Sequence, residues 1–269
     1  MPEARAENRL VFHDPMPARL QPSLVILIAP PAVAFLSWMR LTGEIDGLVA
    51  DASAHRSEHS IEVQLPILAR LAHAAAGGDP DTVTKAACGL EFIHTNHAED
   101  NWFLHIETFD PHEPWDPPEY LVRRYDPGYQ GTPMLHPNYG PASDYTPEEL
   151  RNLWAHYAAE AELVDRSIGR VLQKVDDLQL WDETIVAITS DHGMSIGEHG
   201  RTGKSNIHDR DGRYWPIYPE IGHVPFLVAG GDVPSGHYLD LIAQPIDIIP
   251  TLCDLAGLPQ PAHVQGKSF

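Results

Sequence analysis

Residues 184–204 read Thr-Ile-Val-Ala-Ile-Thr-Ser-Asp-His-Gly-Met-Ser-Ile-Gly-Glu-His-Gly-Arg-Thr-Gly-Lys. The run Thr184 to Ile188 is apolar and rich in β-branched residues, the pattern of a buried strand in a parallel sheet. It gives way at Ser190-Asp191-His192-Gly193 to a glycine-rich loop. In open α/β sheets, ligands sit just beyond the carboxyl ends of the strands, and Asp191 and His192 stand at such an end. Gly193, Gly197, Gly200 and Gly203 let backbone approach a ligand closely. A carboxylate oxygen beside an imidazole nitrogen makes half of a metal site, and Lys204 adds a mobile point charge for an anion. The same residues also describe a solvated surface loop, and only their company separates the two readings.

That company begins upstream. Thr146-Pro147-Glu148-Glu149 is a capping box with proline at the first helical position. Leu150, Leu153, Tyr157, Ala161, Val164, Ile168, Val171 and Val175 follow at spacings of three or four, which predicts a helix to about Asp177 with one apolar stripe facing a core. Asp165, beside the stripe, is expected to pair with Arg166 or Arg170. Helix, strand and glycine loop in that order make an α/β unit. Residues 102–109, Trp-Phe-Leu-His-Ile-Glu-Thr-Phe, are dense in β-formers and read as another strand. It ends in Asp110-Pro111-His112-Glu113-Pro114-Trp115, where the prolines hold an extended turn that presents His112 at the sheet edge. The alternative for His112 is a turn histidine bonded to backbone.

Thr82 to Ile93 is expected to be a helix with Val83, Ala86, Ala87, Leu90 and Ile93 on one side. Residues 116–145, rich in Pro, Gly, Tyr and Asp, read as a long irregular excursion of the kind that covers substrates. Tyr120, Arg123, Arg124 and Tyr139 are its candidates for substrate contact, or else solvated loop residues. After Lys204 comes a polar loop, 205–221, holding His208, Asp209 and Asp211. Residues 223–228 read as a further buried strand ending at Gly230-Gly231. Residues 246–257 read as a short apolar helix stopped by Gly257. Near the N-terminus, Leu24 to Ile28 reads as a core strand ended by Pro30-Pro31. Gly77-Gly78-Asp79-Pro80 is the best boundary, dividing an N-terminal segment, 1–78, from an α/β domain, 79–269.

With 38 Asp+Glu against 18 Lys+Arg and a net charge of −20, the chain has no basic stripe to neutralise phosphates, so nucleic acid is not an expected partner. An anionic substrate would need local Lys, His or metal. Cys88 and Cys253 lie far apart without metal-ligand spacing and read as buried apolar residues. The first residues are acidic and no apolar stretch follows them directly, so no signal peptide is expected. Leu24 to Met39 is interrupted by Pro30-Pro31 and too short for a membrane span. A soluble protein is the expectation.

Ser-Asp-His-Gly, Gly-Glu-His-Gly and Gly-Lys in series, together with Trp-Phe-Leu-His-Ile-Glu-Thr-Phe-Asp-Pro-His-Glu-Pro-Trp and the Asp-Ile-x-Pro-Thr helix at 247–251, resemble the sulfatase family of the alkaline phosphatase superfamily. The resemblance runs from about Asp81 to Phe269. It implies an α/β fold with a central mixed, mostly parallel sheet flanked by helices. It also implies metal-assisted hydrolysis of sulfate monoesters, with calcium or another divalent cation and a formylglycine made from Cys or Ser. Carried onto this chain, Asp191 and His192 are the implied metal ligands, and His112 and Lys204 hold the sulfate and assist the leaving oxygen. The family's Asp-Asp pair and Cys/Ser-x-Pro-x-Arg nucleophile segment, which follow its first strand, have no match here. The fold is therefore expected to be incomplete at the N-terminus, the chain a truncated sulfatase, and its turnover impaired. A phosphodiesterase or phosphonate monoester hydrolase of the same superfamily is one alternative. A non-catalytic protein that binds sulfated glycans is the other.

Residues 51–68, with Glu58-His59-Ser60-Ile61-Glu62 through Leu65-Pro66, resemble the signature of the Memo family, which is a different α/β fold. The likeness implies a pocket role for His59. Its partner segment has no counterpart, since Ile28-Ala29-Pro30-Pro31-Ala32 puts proline where a ligand is needed. A surface helix with a histidine and two glutamates is the plainer reading.

Overall fold

Val186 faces one side of the molecule while Ile185 and Ala187 face the other, the period-2 alternation of a strand buried on both faces. That strand belongs to a computed structural model of the chain, which describes residues 23–29, 81–205, 216–260 and 262–269. The stretch 51–68 with His59, the break at Gly77 to Pro80, and His208, Asp209 and Asp211 lie outside the described residues.

The elements, in chain order, are β1 (Ser23–Ala29), α1 (Asp81–Asn96), β2 (Phe103–Glu107), α2 (Glu119–Tyr125), α3 (Pro147–Asp177), β3 (Thr184–Ser190), β4 (Ser195–Ile196), β5 (Thr202–Gly203), α4 (Pro219–Gly222), β6 (Phe226–Ala229) and α5 (Ile248–Leu255). The main sheet has the order β2-β1-β3-β6. Its first three strands are parallel, with Ile28 opposite Glu107 and Ala29 opposite Ser190. β6 runs antiparallel to β3. The architecture is the mixed, mostly parallel α/β sheet that the sequence predicts.

Helices cover both faces. Ala86, Phe92 and Ile93 of α1 and Val171 and Val175 of α3 pack with Leu104 and Ile106 of β2 and with Val186. On the opposite face Leu252 of α5 closes over Ile185 and Ala187, with Phe103, Phe226 and Val228 beside them. Cys88 and Cys253 are both buried. Among the described residues no helix is long and apolar enough to cross a membrane.

α3 begins as its capping box requires. Glu149 N–H donates to Thr146 Oγ1 (3.2 Å) and Thr146 N–H donates to Glu149 Oε2 (2.8 Å), so two orphan donors of the first turn are satisfied. Other expectations need correction. β6 is not a buried strand: as the outer strand of the order it packs one face only, and Leu227 stays 60% exposed. Arg166 pairs with Glu162, four residues back on the same helix, rather than with Asp165. The excursion 116–145 contains a helix, α2, whose Leu121 and Val122 bury against Ala155, Ala159 and Leu163 of α3.

α3 also buries polar residues next to its apolar stripe, including Asn152, His156 and Glu160. Burial pushes the Glu160 carboxyl up to about 8, and Asp110 and Asp116 add to it. The folded pKa lies above the ordinary value of 4.5, so the fold favours the protonated acid. Stability from this group is complete below about pH 4.5 and is lost as pH rises toward 8. Glu160→Gln is therefore expected to gain on the order of 2–3 kcal/mol over the parent at pH 8 and little at pH 5. Denaturant melts of both proteins across that range check it, and parallel curves would refute it.

Candidate active site

The carboxyl ends of β2 and β3 carry two loops that meet. After β2, the turn from Thr108 to Asp116 is fastened at several points. Thr108 Oγ1 donates to Asp110 O (2.8 Å) and His112 N–H donates to Phe109 O (2.9 Å). The Asp110 carboxylate accepts Thr82 N–H (3.0 Å) at the start of α1, where unpaired amides and the helix dipole favour an anion. The peptide bonds preceding Pro111 and Pro114 are both cis. Trp115 is fully buried against Leu153, Met194 and Ile196, and its ring meets Tyr157 edge-on. Its indole N–H donates to Pro111 O (2.9 Å), its backbone N–H donates to Leu135 O (2.7 Å), and its carbonyl accepts from His156 Nδ1 (3.0 Å). His112 is thus held on a turn clamped from below by an aromatic anchor.

After β3 come Asp191, His192 and Gly193. A Cβ on Gly193 would lie 2.0 Å from Glu220 O, and Gly193 N–H donates to Ile221 O (2.7 Å). Glycine is what allows α4 to lie on this loop. The chain then turns through the small ribbon of β4 and β5, with Ser195 opposite Gly203, and delivers Lys204 back to the cleft. Gly203 has φ +111°, and a Cβ there would come 2.9 Å from the Tyr139 ring. Tyr139 therefore lies over this glycine. Gly140 and Asn138, its neighbours, bond Thr202: Thr202 N–H donates to Gly140 O (3.0 Å) and Thr202 Oγ1 donates to Asn138 Oδ1 (2.6 Å).

The result brings His112 and Lys204 together across 92 residues of chain. His112 Nδ1 donates to the Glu113 carbonyl (2.6 Å), which leaves Nε2 as an acceptor, and Lys204 Nζ donates to it at 3.0 Å. Glu113 Oε1 lies 3.7 Å from Lys204 Nζ and also accepts the Tyr139 hydroxyl. Burial holds the Lys204 ammonium below the usual lysine range, opposed by the charges of Glu113 and Asp191.

Asp191 and His192 form the other half. His192 Nδ1 donates to Gly193 O (2.9 Å), so its Nε2 lone pair faces outward, 3.8 Å from Asp191 Oδ2. Burial pushes the Asp191 carboxyl up to about 7, with Glu107 adding to it and the His192 N–H and Lys204 opposing. Burial likewise keeps His192 below its usual value, and the positive charge of Lys204 reinforces it. A desolvated carboxylate beside a neutral imidazole with a free lone pair is a donor pair for a divalent cation. Among the described residues no third Asp, Glu, His or Cys stands close enough to complete a set of three. The pair therefore fits one side of a coordination sphere.

Glu113 is the cleft residue that sequence reasoning passes over, and Tyr139, a candidate for substrate contact or else a solvated loop residue, proves to be buried there. Glu113 is 4% exposed, and its only signal is adjacency to His112. Tyr139 is 4% exposed with φ +53°, and a tyrosine in a Pro/Gly-rich loop reads as solvated. Tyr120, Arg123 and Arg124 are engaged elsewhere. Arg123 pairs with Glu119, Arg124 with Glu162, and the Tyr120 hydroxyl accepts from Arg166 (3.4 Å).

The family model described as Sulfatase matches residues 58–258. Arylsulfatase K of Danio rerio is 35% identical over 125 residues, 46% of this chain and 22% of that protein. Iduronate 2-sulfatase of Mus musculus is 34% identical over 148 residues, 49% of this chain and 26% of that protein. The chain thus spans about a quarter of the length of these relatives. Among solved structures, phosphonate monoester hydrolase of Agrobacterium radiobacter superposes with a TM-score of 0.53 at 25% identity, covering 72% of this chain and 45% of that one. BT4656, solved with its substrate D-glucosamine-2-N,6-O-disulfate, superposes with a TM-score of 0.56 at 18% identity, covering 70% and 51%, which speaks to the fold alone.

Proposed function

The chain belongs to the sulfatase family, and from that premise we propose that it binds a sulfate monoester and takes part in its metal-assisted hydrolysis. The observation that carries this reading is the contact of Lys204 Nζ with His112 Nε2 at 3.0 Å, beside the Asp191–His192 donor pair. Lys204 supplies positive charge to the sulfate oxygens from a site that water reaches poorly, where such charge acts strongly. Because His112 Nδ1–H donates its hydrogen bond to the Glu113 carbonyl, the proton between Nζ and Nε2 is the one available to the departing alcohol oxygen. Asp191 and His192 would hold the divalent cation, calcium in the sulfatase pattern. When bound, that ion offsets the charge of the anionic ester oxygens.

Sulfated sugars are the substrate class that the relatives' names suggest. Turnover by this chain is expected to be weak, because Pro30-Pro31 follows β1 and no Cys/Ser-x-Pro-x-Arg supplies a nucleophile. A phosphonate monoester or phosphate diester is the second reading, favoured by the likeness to the Agrobacterium radiobacter enzyme.

Hydrolysis of an aryl sulfate, an aryl phosphate diester and a phenylphosphonate monoester, compared in calcium, tests the proposal. Preference for sulfate supports it, and preference for either phosphorus ester moves the chain to the second reading. Binding of the sulfate without turnover would make it a glycan-binding member of the family. In thermal melts calcium is expected to stabilise the parent chain and to leave Asp191→Ala unmoved. A calcium shift of equal size in that variant would refute the metal assignment.

A further inference from the structure

Glu113 is a buried carboxylate to which the roles above assign nothing. Its side chain is 3% exposed, next to a Lys204 side chain that is 18% exposed. A charge so placed is costly unless paired and hydrogen-bonded. One oxygen, Oε1, is satisfied twice, by the Tyr139 hydroxyl and by Lys204. The other, Oε2, has no hydrogen bond among the described residues and lies 3.5 Å from His112 Nδ1. The same residue's carbonyl accepts a hydrogen bond from His112 Nδ1–H at 2.6 Å. One residue therefore touches both members of the Lys204–His112 pair, the lysine through its carboxylate and the imidazole through its backbone.

The surroundings explain why such a residue is needed. Lys204 follows β5 at the end of a glycine-rich ribbon, on a four-carbon stem that is free to turn. His112 belongs to a different loop. Asp191 and His192 face the lysine from the end of β3, and Asp191 competes for its charge. On the His112 side, Glu113 supplies the negative charge that attracts the ammonium, and His112 supplies a hydrogen-bond acceptor.

We propose that Glu113 is the positioning residue of this site: its carboxylate, braced by Tyr139, holds the Lys204 ammonium against His112 Nε2, and its carbonyl fixes the tautomer that makes Nε2 the acceptor. The proposal rests on the sulfatase reading for its consequence in turnover but not for its geometry. Two readouts keep these apart.

The first readout needs no substrate. The chain has only four lysines, Lys85, Lys174, Lys204 and Lys267. In a chain labelled with [15N]lysine, the Lys204 ammonium is expected to give its own proton–nitrogen signal, identified by its loss in Lys204→Arg. In Glu113→Gln that signal disappears or moves to the position of free lysines. Glu113→Asp, which keeps the charge, restores part of it. Tyr139→Phe, the variant least able to disturb folding, shifts it in the same direction by less. An absent signal in the parent chain, or an unmoved one in Glu113→Gln, overturns the proposal. If Glu113→Gln does not fold, an unmoved signal in both Glu113→Asp and Tyr139→Phe overturns it.

The second readout is aryl sulfate kinetics. Glu113→Gln is expected to lower kcat roughly tenfold with KM changed by about twofold or less, and Glu113→Asp to recover part of the loss. A parent chain without sulfate turnover, but with the lysine signal behaving as stated, defeats the sulfatase reading and leaves Glu113 in place. A parent chain that turns over sulfate, with an unmoved signal, defeats the role of Glu113 alone.

Discussion

Lys204→Ala is expected to weaken binding of an aryl sulfate roughly 10–100-fold, the worth of one charge-assisted hydrogen bond. Residual turnover should fall by about 10²–10³-fold, because the lost donor acts where charge builds on the departing oxygen. The variant also removes the counter-charge of a buried carboxylate. Glu113 would keep the Tyr139 hydroxyl but lose its cation, at about 1–3 kcal/mol of stability. The two losses separate in the double variant Lys204→Ala/Glu113→Gln, which should regain much of the stability and none of the turnover. Calorimetric titration with the sulfate ester, steady-state rates and denaturant melts on all three proteins provide the comparison. Parent-like affinity in Lys204→Ala would remove this lysine from the anion site, and with it the strongest support for the function proposed.

The second large effect is structural. Trp115→Ala should lower the unfolding free energy by about 3–5 kcal/mol, the range for deleting a fully buried aromatic side chain. The ring is closed in by Leu153, Met194, Ile196 and Tyr157, elements that cannot move together to fill the gap, so the value is expected at the upper end. The indole bond to Pro111 O is lost as well, and with it one fastening of the turn that carries His112. Sulfate turnover at a temperature where the variant is still folded should therefore fall with it. Trp115→Phe retains most of the volume and lacks only the N–H, so it should recover most of the stability. A cost below about 1 kcal/mol for the alanine variant would show that this cluster does not hold the turn.

The parts of this molecule legible in its sequence are those governed by local rules. The capping box at Thr146 set the start of α3, and the β-branched run ending at Ser190 announced a strand with the Asp191–His192 loop at its carboxyl end. Asp-Pro-His-Glu-Pro-Trp was readable as a presented turn because proline limits the backbone whatever surrounds it. What was not legible depends on partners distant in sequence. Whether β6 is covered is decided by its place at the edge of the order, and nothing in residues 226–229 states that place. Tyr139 is buried because Gly203, far along the chain, leaves room for its ring. Glu113 looks like any acidic residue of an acidic protein until Lys204 is brought against it from another loop. The burial of Glu160 has the same origin: a period-3.6 count of apolar residues passes over a carboxyl group that the fold buries near Asp110 and Asp116.

The pairing of β1 has a consequence for how the chain is made. Ser23 to Ala29 leave the ribosome well before their hydrogen-bonding neighbours on one side, Thr184 to Ser190. At synthesis rates of about 5–20 residues per second, this apolar segment waits roughly ten to thirty seconds for that partner. β2 arrives sooner and pairs on the other side, but the edge toward β3 stays open until residues 184–190 have been made. Such a strand is a template for any extended chain nearby. A sheet with this connectivity folds slowly and is most prone to aggregate while still nascent. Yield from a cell should therefore respond more to holding chaperones and slow expression than to substitutions that raise the stability of the finished fold.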